Sequence, residues 1–96
     1  MKYEIRKKDK VIGVTKLENG DPPMGFVFGA VEPTEFYSPS IEQADFSLYI
    51  SETNTEISIE SILIEDHSGE LGEQSIEVTV LVESAEEYAK FFRHHL

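Results

Sequence analysis

The segment Glu65-Asp66-His67-Ser68-Gly69-Glu70 contains several side chains that could do chemistry. Asp66 beside His67 resembles a carboxylate that orients a general base, but neighbours at the end of a strand usually point apart. The segment also fails the EF-hand pattern, because counting from Asp66 places leucine rather than glycine at the sixth position. We therefore expect a solvated loop here, with neither a metal ion nor catalysis.

Two adjacent histidines, His94 and His95, are the other candidates for metal binding. Adjacent positions on a helix do not face each other, and no third ligand lies nearby in the sequence. We expect both to be cations at a helix end. The chain also lacks cysteine, a G-x-S-x-G elbow, a glycine-rich phosphate loop and an H-E-x-x-H helix. The sequence therefore predicts a noncatalytic protein without a cofactor.

The loop from Glu18 to Gly25 is better suited to contact with a partner. Two prolines make it rigid, Asp21 gives it charge, and Met24 lies at its tip. It could be a recognition loop or a simple strand connection whose prolines reduce the entropy of the unfolded chain.

Tyr49 is the best candidate for an aromatic side chain at an interface. It alternates with the inward Leu48 and Ile50, so it is predicted to point outward, and Glu52 follows it. Tyrosine supplies a rigid contact with an apolar body and a polar tip. The predicted partner-binding residues are Asp21, Met24, Tyr49, Glu52 and Asp66.

Charge is distributed unevenly along the chain. Residues 1–16 contain six basic and two acidic side chains, whereas residues 17–89 contain seventeen acidic side chains and no lysine or arginine. With Lys90 and Arg93 the net charge is −11. Such a field repels nucleic acid and anionic membranes and attracts basic proteins. The charge therefore indicates either a basic protein partner or a role in solubility alone.

Ninety-six residues correspond to one domain, spanning residues 1–96. No cysteine means no disulfide framework and no thiol chemistry. No apolar run follows the basic N-terminal residues, and the longest apolar run, from Gly25 to Val31, is far shorter than a membrane span. We expect a soluble cytoplasmic protein.

The elements that position these residues are strands, with one helix at the end. Alternation or short apolar runs predict strands over residues 2–6, 11–17, 26–31, 46–51, 56–64 and 75–83. Gly13 marks a bulge or a close backbone approach, and broken alternation near Ser61 indicates a bulge or a face switch. Residues 26–31 are apolar on both faces, which predicts a strand covered on both sides or at the centre of the sheet.

The connections are predicted less sharply than the strands. Pro39 prevents a continuous helix over residues 34–45, although Ser40 and Gln43 have the spacing of a helix cap. Residues 65–74 are predicted as a loop because they contain two glycines.

A capping box, Ser84-Ala85-Glu86-Glu87, begins the C-terminal helix. An apolar stripe follows on that helix, formed by Ala85, Tyr88, Ala89 and Phe92. The fold class is therefore α+β, with an antiparallel sheet of five or six strands and a C-terminal helix packed on one face.

Three functions are compatible with this pattern. The first is a noncatalytic acidic protein that caps a basic partner. In size, charge and absence of cysteine the chain resembles immunity proteins of bacterial toxin systems, which implies a basic toxin as the partner. The second is a structural or regulatory subunit that forms a homodimer or larger homo-oligomer, its basic N-terminal hairpin meeting the acidic face of another copy. The third is a small enzyme or ligand-binding domain with a pocket near Asp21 or His67.

Overall fold

In the computed structural model, the backbone is described throughout, together with the side chains of residues 1–69 and 72–96. The strands are β1 (Tyr3–Lys7), β2 (Lys10–Thr15), β3 (Asn19–Asp21), β4 (Phe26–Pro33), β5 (Phe46–Ile50), β6 (Thr55–Ile57), β7 (Ile59–Asp66) and β8 (Ile76–Val82). The helices are α1 (Ser68–Leu71) and α2 (Ala85–Phe91), and two short 3-10 turns cover Pro22–Met24 and Arg93–His95.

All strand pairings are antiparallel and join the strands into one curled sheet. The order is β6-β5-β1-β2-β4-β8-β7, and β3 pairs with β4 beside β2. The two ends of this order, β6 and β7, are consecutive in the chain and are separated by Ser58 alone. The Glu83 N–H donates to the Ser58 carbonyl at 3.3 Å, which ties this link to the end of β8. The sheet therefore curls until its two ends share one bent segment.

The α+β class and the C-terminal helix are confirmed, but the predicted strand count is too low. One additional strand, β3, lies inside the predicted loop 18–25. The predicted strand 56–64 is two strands, because the chain bends at Ser58 and each half pairs with a different neighbour. The bulge predicted near Ser61 is confirmed by the register shift between Ile59 and Ser61.

Two of the predicted connections also differ from the structure. Residues 65–74 are not entirely a loop, since β7 extends to Asp66 and α1 follows, ending at Gly72 with a φ of 72°. No continuous helix forms over residues 34–45, as Pro39 predicts, and the short helical turn that Ser40 and Gln43 could begin is absent as well. Tight turns replace it, closed by hydrogen bonds from the Tyr37 and Ile41 N–H groups to carbonyls three residues earlier. These turns satisfy backbone groups locally, so the helical spacing of Ser40 and Gln43 is not used.

Between β2 and β3 the strand beside β4 is interrupted. Leu17 adopts a left-handed φ of 45° there and is fully buried. The Glu18 carboxylate accepts a hydrogen bond from the Ala30 N–H on β4 at 3.0 Å. It takes the place of the backbone carbonyl that a continuous neighbouring strand would offer. A side chain at Gly29 would prevent this, because its Cβ would lie 2.7 Å from Glu18 Oε2.

Gly13 is a position of close backbone approach, as the sequence predicted. A Cβ at this position would lie 2.6 Å from Val31 Cγ1 on the neighbouring strand. The pairing register of β1 and β2 also shifts next to it, because Ile5 pairs with Gly13 and Arg6 pairs with Val11. The extra residue is Ile12, whose side chain is buried in the core.

The inward side chains of the strands form one core, closed by α2. Ser84 Oγ accepts the Glu87 N–H at 3.2 Å, as the capping box predicts. Tyr88 and Phe92 point into the core, where the Phe92 ring centre lies 5.4 Å from that of Tyr3. The predicted apolar stripe of α2 is wrong at two of its four positions, because Ala85 and Ala89 are exposed. The buried hydrophobic residues are Tyr3, Ile5, Ile12, Leu17, Val27, Val31, Leu48, Ile50, Ile57, Ile64, Ile76, Val78, Val80, Val82, Tyr88 and Phe92.

At the free edge of β7, the side chain of Gln43 makes hydrogen bonds to the backbone of Ile64. Gln43 Nε2 donates to the Ile64 carbonyl at 3.1 Å, and Gln43 Oε1 accepts the Ile64 N–H at 3.1 Å. One amide thus makes both hydrogen bonds that a neighbouring strand would make at this residue. It also ties the segment 34–45 to the sheet.

We expect Gln43→Met to lower the free energy of unfolding by about 1–2 kcal/mol, because two partly buried backbone groups of Ile64 lose their partners. Urea denaturation followed by circular dichroism measures this change. The matched control is Gln74→Met, at an exposed glutamine outside the strands. Equal midpoints for the two variants would show that the Gln43 amide does not stabilise the β7 edge.

Candidate functional site

Apolar side chains point away from the core on β4 and β7. Along β4 the inward Val27 and Val31 are buried, whereas Phe26 and Phe28 alternate with them and occupy the opposite face. Phe28 retains 36% of its surface exposed, and Leu63 on β7 retains 49%. Large side chains at these exposures are available for contact with another molecule.

Strand register aligns these side chains in rows across four strands. The first row is Asp21, Phe26, Leu81 and Ser61; the second is Asn19, Phe28, Thr79 and Leu63; the third is Ala30, Glu77 and Glu65. We call these three rows the outer face. From the ordinary spacings of a sheet, the outer face measures roughly 15 by 14 Å. Its centre is apolar, since Phe28 and Leu63 flank Thr79, and Phe26 and Leu81 lie beside them.

Carboxylates border the outer face on β3, β7 and β8, whereas Lys2 and Lys16 line a depression beside Ala30. The strands β3, β4, β7 and β8 contain six acidic residues and no lysine, arginine or histidine. Glu65 and Glu77 stand directly opposite each other across β7 and β8, an arrangement in which like charges repel. Asp21 lies at the opposite end of the rows. An apolar centre within a polar, solvent-accessible border is the usual arrangement of a protein–protein interface.

Of the two alternatives predicted for residues 26–31, the structure shows the central position, because β4 pairs with β2 and β3 on one side and with β8 on the other. Its outer face is not covered. The seven-residue helix α2 packs on the core side, and no other helix of comparable length is present in the described backbone. The sequence signal for this surface was the repetition of two-sided apolar character on three strands, at residues 26–28, 62–64 and 80–82. Sequence patterning does not show how much helix is available to cover such a surface, so this repetition alone does not distinguish a covered sheet from an exposed one.

Two basic side chains of the β1–β2 hairpin, those of Arg6 and Lys7, contact other parts of this chain. The Arg6 guanidinium pairs with Glu4 at 2.7 Å and lies 3.8 Å from the centre of the Tyr49 ring. The Lys7 ammonium donates to the carbonyls of Glu42 and Ala44. Among the described side chains, Arg6–Glu4 is the single ion pair made by a lysine or an arginine. The carboxylates of the outer face are therefore not neutralised by these cations.

One of the predicted partner-binding residues, Asp21, belongs to the outer face, and a second, Met24, lies beside it. Asp21 is exposed at the end of β3 and pairs in register with Phe26. Met24 follows in the tight turn to β4 and is 62% exposed. Both are therefore placed to extend a contact surface beyond the sheet.

The predicted residues on the β5–β6 hairpin lie elsewhere. Tyr49 points outward from β5 as predicted, but it is half-buried beneath the Arg6 guanidinium. Glu52 accepts a hydrogen bond from the Lys2 N–H at 3.1 Å, and this bond lowers the pKa of the Glu52 carboxyl. In the sheet order β1 and β2 separate β5 from β4, so Tyr49 and Asp21 do not form one site.

Asp66, the fifth predicted residue, lies at the end of β7. Its carboxylate accepts the Ser68 N–H at 2.9 Å and the Tyr37 hydroxyl at 2.8 Å. These hydrogen bonds, that of Ser68 first, hold the pKa of Asp66 below its usual value. A depression of about 420 Å³ lies beside it, lined in part by Pro33, Tyr37 and Pro39. The five predicted residues are thus spread over three regions and do not form one surface.

No three histidine, aspartate or glutamate side chains converge on a metal-binding geometry in the part of the chain that the structure describes. The His95 ring is held by the chain itself, because its Nε2 lies 2.9 Å from the Leu17 carbonyl and must carry the proton of that hydrogen bond. Partial burial, and then the neighbouring His95, lower the pKa of His94. This shift disfavours the cationic form that the sequence predicted for His94.

Comparison of the chain with protein-family models, with curated protein sequences and with solved structures found no significant match. Within the described residues, every helix is too short or too polar to cross a membrane.

We expect Tyr37 to stay protonated in alkali. Burial first, and then the Asp66 carboxylate, raise the pKa of its phenol to about 12. At pH 11 Tyr37 should therefore be about one-tenth ionised, against about nine-tenths for an ordinary tyrosine. Because the pKa of Tyr37 is raised in the folded state, the protonated phenol stabilises the fold. This contribution to the free energy of unfolding is complete below pH 10 and declines as the pH rises towards 12. ¹³C NMR of the tyrosine Cζ atoms, assigned with Tyr37→Phe, measures the ionised fraction.

The control for this measurement is Asp66→Asn. It should increase the ionised fraction of Tyr37 at pH 11 without restoring that of a free tyrosine, because burial remains. An unchanged fraction would show that the contact between Tyr37 and Asp66 does not persist in solution.

Proposed function

We propose that this protein is a noncatalytic binding protein that caps a basic protein partner, in the manner of the immunity proteins that inhibit bacterial toxins. The observation that carries the proposal is the separation of charge in the fold. The strands β3 to β8 contain no lysine or arginine, and the cations of the β1–β2 hairpin include Arg6 and Lys7, which bind groups of their own chain.

Unneutralised carboxylates on a small protein act over a distance. They create a potential that increases the association rate of a cationic partner, and the effect decreases as salt screens it. The same potential opposes nucleic acid and anionic lipid, whose binding requires lysine and arginine. A basic protein is therefore the macromolecule that this charge distribution favours.

Capping is also the simplest mechanism for such a protein. A basic toxin that acts on nucleic acid must expose lysines and arginines to the phosphates of its substrate. An acidic protein bound over those side chains competes with the phosphates and needs no catalytic group of its own. Binding would rest on electrostatic steering for the rate and on a few buried contacts for the lifetime of the complex.

We expect affinity capture from the source lysate to retain one basic protein at low salt. Its yield should fall as the salt concentration rises, because the encounter is electrostatic. Mass spectrometry identifies the protein, and its purified form should lose its activity when one equivalent of the acidic protein is added.

The matched control is a Val78→Asp bait, which retains the negative charge but places a carboxylate in the core, where Val78 is fully buried. Proteins retained equally by both baits bind a polyanion and not the folded surface. Capture of an acidic protein alone, or of nothing, would contradict the proposal.

A further inference from the structure

We infer that the outer face is the surface on which the basic partner docks. Phe28 and Leu63 would fill the centre of the contact, and lysines or arginines of the partner would lie against Glu65 and Glu77. This inference rests on the proposed function for the charge of the partner, but it adds the location and chemistry of the site.

The arrangement of the outer face supports this assignment. Phe28 and Leu63 lie on either side of Thr79 in one row, so an apolar side chain of a partner can contact both at once. Truncation of such central side chains commonly causes the largest losses of affinity at interfaces. The three rows cover roughly 200 Å² by ordinary sheet spacings, against about 800 Å² per partner in a stable complex. They are therefore the centre of an interface whose border includes the carboxylates.

Charge identifies the occupant as a basic partner and not as a second copy. Two outer faces brought together would place Glu65 and Glu77 of one copy against the acidic border of the other, which is repulsive. The hairpin of a second copy carries exposed Lys8 and Lys10 as well as the internally held Arg6 and Lys7. It belongs to a chain with the same net charge of −11, however, so the two copies repel each other as they approach. A partner with free lysines or arginines around an apolar cluster satisfies both parts of the surface.

Another exposed aromatic, Phe36, lies outside the outer face and lacks this complementarity. It is 48% exposed, but the Lys10 ammonium lies 4.9 Å from the centre of its ring. A basic partner would meet a like charge there. Phe36 therefore provides a matched control for Phe28.

The test uses three capped eight-residue peptides, each below the concentration at which it self-associates. They alternate lysine with leucine, lysine with serine, and glutamate with leucine. The lysine–leucine peptide should shift the backbone amide resonances of residues 28, 63 and 79 in ¹H–¹⁵N NMR spectra. The other two peptides should bind at least tenfold more weakly, because each lacks one half of the complementarity.

Variants then test which side chains carry the binding. Phe28→Ser and Leu63→Ser should each weaken binding of the lysine–leucine peptide about tenfold, whereas Phe36→Ser should leave it unchanged. The double variant Glu65→Gln/Glu77→Gln should weaken binding and reduce its salt dependence, and Glu42→Gln/Glu86→Gln should not. Because all these positions are exposed, circular dichroism should show that each variant is folded.

The outcomes test separately where the partner docks and whether it must be basic. Shifts confined to the β5–β6 hairpin, or equal effects of Phe28→Ser and Phe36→Ser, would overturn the docking site and leave the proposed function standing. Equal binding of the glutamate–leucine peptide on the outer face would contradict the requirement for a basic partner. Sedimentation of a wild-type dimer that Phe28→Ser dissociates would assign the surface to a second copy and overturn the inference.

Discussion

One limit on burial governs this structure: the longest helix in the described backbone, α2, has only seven residues to cover an eight-stranded sheet. The sheet responds by curling around one core, into which Tyr88 and Phe92 are inserted from α2. The concave side is thereby buried. The convex side has no element left to cover it, and yet β4 and β7 place Phe28 and Leu63 there. An apolar surface that the chain itself does not bury is consistent with burial by another molecule.

Side chains complete the strand ladder where backbone partners are missing. The Glu18 carboxylate takes the place of a strand residue beside Ala30, and the Gln43 amide does the same beside Ile64. The first contact lies at the break between β2 and β3, and the second at the free edge of β7. Each satisfies backbone groups at a position where the ladder lacks a neighbouring strand.

The separation of charge has a structural cause as well as a functional consequence. Two cations of the first hairpin bind groups of their own chain, since Lys7 donates to the carbonyls of Glu42 and Ala44 and Arg6 pairs with Glu4. Cations used in this way are not available to neutralise the distant strands β7 and β8. The acidic character of Glu65 and Glu77 therefore persists in the folded protein, where two like charges face each other across adjacent strands.

Local patterns in the sequence determined the α+β class, the capped C-terminal helix, the inward residues of most strands and the bulge near Ser61. These properties depend on periodicity and on contacts between residues close in the chain. Tertiary structure alone decided that residues 56–64 divide at Ser58, that β3 exists, and that Phe28, Thr79 and Leu63 share one row. It also decided that Tyr49 lies beneath Arg6 and that the outer face is uncovered. The reason is physical: pairing partners and coverage depend on contacts between residues far apart in the chain, which periodicity does not encode.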